Sequence, residues 1–178
     1  MYSKSTVRVF FALWPTEAER TALAAWQPSL TELCSGRKTA EHNLHNTLVF
    51  LGNIEAERLE ALQLSAREVS GSGFQLVFDN ARYWGHNQIV YAAPNSVPEH
   101  LHQLVQSLQQ SLTHHHFDFD RRSYKPHVTL LRHAQWTDSP LPAMQPVLWT
   151  MRDFALVQSV SEGQGMRYEV LARFPLTQ

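Results

Sequence analysis

With 178 residues, 43% of them hydrophobic, the chain is long enough to bury a full core as one domain or as two small lobes that share one. A formal charge of -1 excludes the overall basicity of a non-specific nucleic-acid binder, so any polyanion has to be met by a local patch. The single Cys34 excludes an internal disulfide and a cysteine metal cluster and fits a reducing compartment; no stretch approaches the roughly 20 apolar residues of a membrane helix, so a soluble, cytoplasmic protein with no membrane partner is expected.

The run Val9 to Trp14 is too short for a signal-peptide core and reads as the first strand. Thr16 with Glu19 three residues later is a capping-box pattern that opens a helix, and Pro28 is expected to end it. HNTLVF, His45 to Phe50, reads as a strand opened by histidine, with Gly52 offering a place for it to stop. Leu59, Leu62, Ala66 and Val69 share one face of a helix from about Glu55 to Val69, with Gly71 as its stop, and this helix is expected to tie two lobes together. FQLVFDNARYW and QIVYAAP have strand character. Ser96 with Glu99 repeats the capping box before Leu101, Leu104, Val105, Leu108 and Leu112 at helical spacing. HVTLLR, His127 to Arg132, is a second histidine strand, and RDFALVQSV and RYEVLARFPL are strands joined by a hairpin at Gly163 to Gly165. Ser70 to Gly73 and the proline-rich Asp138 to Pro146 are the expected joints.

Strand, capped helix and histidine strand therefore occur twice in the same order. Phe11 falls on Tyr91 and Thr16 on Ser96 at an offset of 80, and His45 on His127 at 82. An internal duplication accounts for all three coincidences, and the fold expected is α+β with two related lobes.

Residues two apart on a strand project from one face, so His45 shares a face with Thr47, and His127 with Thr129. Leu48 and Leu130 then point into the core. If the lobes pack as pseudo-symmetric halves, two imidazoles and two hydroxyls converge on one cleft. That set suits general acid-base chemistry on an oxyanion, because one ring near its usual pKa can accept a proton while the other gives one. A lone histidine at a strand start more often satisfies backbone groups, but two in duplicated positions reverse that balance. The strings supply no metal-ligand set, having neither a helical His-x-x-x-His with a nearby Glu nor a Cys cluster. His114 to His116, and singly His42, His86, His100, His102 and His133, read as solvated positions.

The opening RVFFAL, HNTLVFLG, KPHVTLLR and the closing RYEVLARFPL together resemble the two-histidine phosphoesterase superfamily, and within it the RNA 2′,3′-cyclic phosphodiesterases, formerly called 2′-5′ RNA ligases, the LigT-like family. The likeness spans essentially the whole chain. His45, Thr47 and Phe50 match the family's His-x-Thr-x-x-Phe motif, and His127, Thr129 and Arg132 its His-x-Thr-x-x-Arg motif. The resemblance implies that residues 1–178 form one domain with two pseudo-symmetric lobes, each a mainly antiparallel sheet with helices outside, around a central cleft. It implies hydrolysis of an RNA 2′,3′-cyclic phosphate end to a 2′-phosphate with no metal and no cofactor, by a monomer with no obligatory protein partner. His127 would be the proton acceptor that activates water and His45 the proton donor to the departing O3′. Thr47 and Thr129 would hydrogen-bond the phosphate or hold the imidazoles, Arg132 would grip the phosphate, and Phe50 would stack on the terminal base. Reversible 2′-5′ ligation, hydrolysis of small cyclic nucleotides and non-catalytic RNA binding are the alternatives.

Strict strand alternation, however, puts Phe50 and Arg132 on the face opposite the His and Thr of their own strings. A bulge, a strand end after each Thr, or reach around an edge would be needed to bring them into the cleft. Arg37, Lys38, Arg121, Arg122 and Lys125 are basic residues placed to lead an RNA backbone toward the histidines.

Overall fold

A computed structural model describes residues 3–135 and 137–178 and contains ten strands and four α-helices among them. Strands β1 (Thr6–Leu13) and β3 (Asn46–Glu55) pair antiparallel, as do the hairpin strands β9 (Asp153–Glu162) and β10 (Gly165–Pro175), giving a first sheet in the order β10-β9-β1-β3. The second sheet, β2-β7-β6-β5, is built from β2 (Arg37–Lys38), β5 (Asn80–Trp84), β6 (Ile89–Ala93) and β7 (Val128–Arg132). A two-stranded ribbon of β4 (Phe74–Phe78) and β8 (Val147–Met151) completes the set. FQLVFDNARYW thus divides at Asp79 into two strands that serve different sheets. The α+β class and the two-sheet plan are as expected.

The helices follow their apolar spacing. In α4 (Glu99–His114) all five expected residues, Leu101, Leu104, Val105, Leu108 and Leu112, are buried. Helix α1 (Glu17–Ala24) carries the expected reciprocal cap: Glu19 N–H donates to Thr16 Oγ1 (3.2 Å) and Thr16 N–H to Glu19 Oε1 (2.9 Å). Pro28 ends nothing. It lies in the first turn of a separate helix α2 (Gln27–Cys34), where the missing N–H has no partner to lose. The second capping box is also absent, since the N-cap of α4 is Pro98 and no side chain caps it. That shift is informative, because Thr16 and Pro98 are related by the same 82-residue offset as His45 and His127. The expected helix from Glu55 is shorter, α3 (Leu59–Arg67), because β3 runs on to Glu55 and a 3₁₀ turn intervenes; it closes at Glu68, ahead of Gly71. It packs on α4, where Ser111 Oγ donates to the Ser65 carbonyl (2.7 Å).

The difficulty over Phe50 and Arg132 is resolved by bulges. Between β1 and β3, Phe11 pairs with Val49 and Ala12 with Thr47, so Leu48 is the extra residue. Between β6 and β7, Val90 pairs with Leu131 and Tyr91 with Thr129, so Leu130 is extra at the equivalent place. An inserted residue shifts the alternation by one. Leu48 and Val49 are both buried, as are Leu130 and Leu131, and the following Phe50 and Arg132 turn back to the face of Thr47 and Thr129. A second shift skips Leu51, and Gly52 takes φ +76 beside it, so Gly52 sustains the strand rather than ending it.

Two glycines mark where backbone shape is fixed. Gly36 (φ +89) sits just before β2, and an added Cβ would lie 2.7 Å from the Arg132 carbonyl oxygen; at Gly52 the nearest atom would be a Phe50 ring carbon at 3.5 Å. Gly52→Ala is expected to cost about 1–2 kcal/mol, the strain of a left-handed alanine. Gly36→Ala should cost more, because a backbone atom must also move. Urea unfolding of the two variants tests the order, and equal costs would contradict it.

Candidate functional site

The two histidines occupy equivalent positions, each immediately before its strand. His45 Nδ1 lies 2.6 Å from the Asn43 carbonyl and His127 Nδ1 lies 2.8 Å from the Lys125 carbonyl. A carbonyl only accepts, so each Nδ1 carries the hydrogen and, in the neutral ring, each Nε2 is left with its lone pair. Both rings line one cleft of about 1010 Å³, together with Thr47, Phe50, Thr129 and Arg132. All six residues singled out by the motifs are therefore brought together.

The rings are supported differently. His45 is enclosed by aromatic side chains, with centroids of Phe10 at 5.0 Å, Tyr168 at 5.1 Å and Trp14 at 5.8 Å, the last stacked. Its Nε2 is 3.1 Å from Thr47 Oγ1, which donates to it while the ring is neutral. His127 lies edge-to-face against Trp84 and Tyr91, at 5.6 and 5.7 Å, and no equivalent bond joins it to Thr129 among the described residues. Burial pushes the pKa of His45 from 6.5 down to about 4, and His127 and the guanidiniums of Arg20 and Arg132 push the same way. Burial also lowers His127.

Several supporting residues carry no motif. Arg20, buried on α1, donates from Nε to the Leu44 carbonyl (3.1 Å) and lays its guanidinium over Trp14, 4.4 Å from the ring centroid. It thereby braces His45 through both its backbone and its ring neighbour. Asn43 donates from Nδ2 to the Met166 carbonyl (3.0 Å), anchoring the carbonyl that orients His45. The segment from Phe117 to Pro126 meets β3, the edge strand of its sheet, at two points. Asp120 N–H donates to the Phe50 carbonyl (2.8 Å), and Tyr124 OH donates to Asn46 Oδ1 (3.2 Å). Burial raises the Tyr124 pKa, so the phenol stays a donor. Such contacts pair residues remote in sequence and leave no periodic signature; only the polar Asn46 inside an apolar strand hinted at one.

The basic residues divide. Arg37 and Lys38 line the cleft with Arg8 and Arg132, whereas Arg121, Arg122 and Lys125 are not on its wall. Arg122 pairs with Asp120, and Arg121 lies over Phe119. His42, read as merely solvated, reaches the wall as well. Among the described residues no three His, Cys, Asp or Glu side chains gather as metal ligands would, and no helix is long and apolar enough to cross a membrane.

The family model of the 2′-5′ RNA ligase superfamily matches residues 14–163, and the chain belongs to that superfamily. It is 32% identical over 171 residues to the RNA 2′,3′-cyclic phosphodiesterase of Escherichia coli (strain K12), covering 96% of this chain and 97% of the relative. A protein of the same name from Thermus thermophilus is 29% identical over 192 residues, covering 96% and 90%. The crystal structure of E. coli LigT complexed with 3′-AMP superposes with a TM-score of 0.88 at 31% identity, covering 98% of this chain and 100% of that one.

The depressed His45 has a consequence for stability. Between pH 6.5 and about 4 the unfolded chain binds a proton that the folded site refuses, so stability falls as pH falls. His45→Asn keeps a donor for the Asn43 carbonyl but removes this titration. Its loss of unfolding free energy between pH 7 and 4.5 should be smaller than that of the parent by about 2–3 kcal/mol, measured by urea unfolding. Equal losses would show that His45 is not held neutral by the fold.

Proposed function

We propose that this member of the superfamily is an RNA 2′,3′-cyclic phosphodiesterase that opens the cyclic phosphate to a 2′-phosphate by paired-histidine acid-base catalysis, without a metal. The whole chain acts as one two-lobed unit in this reading, since each lobe contributes one histidine. The supporting observation is that both imidazoles are locked at Nδ1 by a carbonyl two residues upstream and meet, with Arg132, in a single cleft.

The asymmetry around Nε2 supports a division of labour. The lone pair of His45 Nε2 is occupied by the Thr47 hydroxyl, whereas Thr129 makes no such bond to His127. His127 is thus the ring available to take a proton from water. The water oxygen attacks phosphorus, the bond to O3′ breaks, and His45, protonated at Nε2, gives its proton to O3′; the Thr47 hydroxyl can turn to accept from that N–H. His127 leaves the step charged and His45 neutral, and exchange with solvent restores both. A bound phosphate favours the charged His45, opposing the burial that holds it at about 4 in the free site. Arg132 meets two phosphate oxygens with one guanidinium. Phe50 lines the cleft with Arg8 over its ring, 4.8 Å from the centroid, and in this reading stacks on the terminal base, a contact worth roughly 1–3 kcal/mol and tolerant of base identity.

The test is RNA ending in a 2′,3′-cyclic phosphate, with chelator present. A 2′-phosphate product is expected, with activity lowered by at least about 10²-fold in His45→Ala and in His127→Ala. Loss of activity on chelation would overturn the metal-free step, and full activity in either variant would overturn the site. RNA with a free 5′-hydroxyl in the same tube reads out joining. Because both rings are held below 6.5 in the free site, kcat/KM should peak on the acid side of 6.5 and kcat at higher pH. A kcat/KM optimum above pH 7 would contradict the protonation states assigned.

A further inference from the structure

The cleft wall carries four cationic side chains, Arg8, Arg37, Lys38 and Arg132, and no Asp or Glu, in a chain whose total charge is -1. Elsewhere Lys4, Arg122, Arg167 and Arg173 stand in ion pairs with carboxylates, whereas none of the four cleft cations does among the described residues. Arg37 is the most unusual of them. It pairs across strands with Arg132, and like charges directly opposite one another destabilise a sheet.

The fold nevertheless fixes Arg37 there. Thr39 N–H donates to the Leu130 carbonyl (2.9 Å), and the buried Gln27 amide bridges the Thr39 and Leu130 carbonyls at 2.9 and 3.0 Å. Gly36 passes too close to the Arg132 carbonyl to admit a Cβ. Beside this short strand, Thr39 Oγ1 is buried on the cleft wall with no hydrogen-bond partner among the described residues, the kind of group a ligand or water completes. A pair of arginines on a fixed backbone with no carboxylate partner among the described residues is matched by an anion, and with Arg132 assigned to the cyclic phosphate, Arg37 is left for the phosphate next to it along the strand.

We propose that Arg37 receives the phosphodiester preceding the terminal nucleotide, so that the cleft takes an oligonucleotide end in preference to a cyclic mononucleotide. The inference rests on the phosphodiesterase reading and names the substrate class within it. The measurement is the ratio of kcat/KM for a trinucleotide ending in a 2′,3′-cyclic phosphate to that for adenosine 2′,3′-cyclic phosphate. The parent should favour the trinucleotide by about tenfold or more. Arg37→Gln should bring the ratio down about tenfold, Arg37→Glu further, and Arg37→Lys should keep much of it, with thermal unfolding confirming that each variant is folded. The salt dependence of trinucleotide kcat/KM should also become shallower in Arg37→Gln, by about 0.7 in the log-log slope, the value for one phosphate of a single strand. A ratio unchanged in Arg37→Gln and Arg37→Glu overturns the assignment. Hydrolysis of neither substrate by the parent would instead overturn the phosphodiesterase reading itself.

Discussion

The relative placement of the two histidine strands depends on the segment from Phe117 to Pro126. It is tied to the edge strand β3 in one lobe at Asp120 and Tyr124 and then becomes β7 of the other, so one stretch of chain both contacts that edge and delivers His127. Its Tyr124 OH holds Asn46, the neighbour of His45, while the next residue, Lys125, supplies the carbonyl that orients His127. Neither sheet alone contains a site. Phe50, whose carbonyl accepts from Asp120, is tied into the same segment. An unpaired edge strand is ordinarily a liability; here the segment tied to that edge also links the two histidine-bearing halves.

The duplicated bulges at Leu48 and Leu130 are the second requirement. An unbroken strand would put Phe50 and Arg132 on the face away from the histidines. One extra residue in each strand lets a His-x-Thr pair and the residue three beyond the Thr share one cleft, with two consecutive leucine or valine side chains buried behind them. The bulges are what let this spacing place both ends of each motif in one cleft. It also explains why the apolar pairs Leu48-Val49 and Leu130-Leu131 interrupt an otherwise alternating pattern.

Much of this was visible in the sequence because periodicity encodes it. The apolar face of α4, the Thr16 cap, the β9–β10 hairpin and the two histidine strings all carry local signals, and the duplication made the strings interpretable as halves of one cleft. The remaining features lack such signals. Pro28 can stop one helix or start the next, and only tertiary packing chooses. Ser96 and Glu99 match the capping pattern but yield to Pro98, whose fixed backbone angle already suits a helix start. Arg20, Asn43 and Tyr124 act through single contacts to residues far away in the chain. The basic residues are divided by where the chain carries them: Arg37 and Lys38 pair with β7 on the cleft wall, whereas Arg122 turns to Asp120 and Arg121 to Phe119 off that wall. A nearly neutral chain can therefore present a positive cleft by keeping its carboxylates off the cleft wall.

The central claim is that the bond between Tyr124 and Asn46 aligns the two histidines, and a double-mutant cycle on kcat measures it directly. Tyr124→Phe and Asn46→Ala should each lower kcat by about tenfold with a smaller effect on KM, and the double variant should be little worse than either alone, because both remove the same tie. Losses that multiply in the double variant, in folded proteins, would show that the two residues act separately and that the histidine strands are aligned by something else.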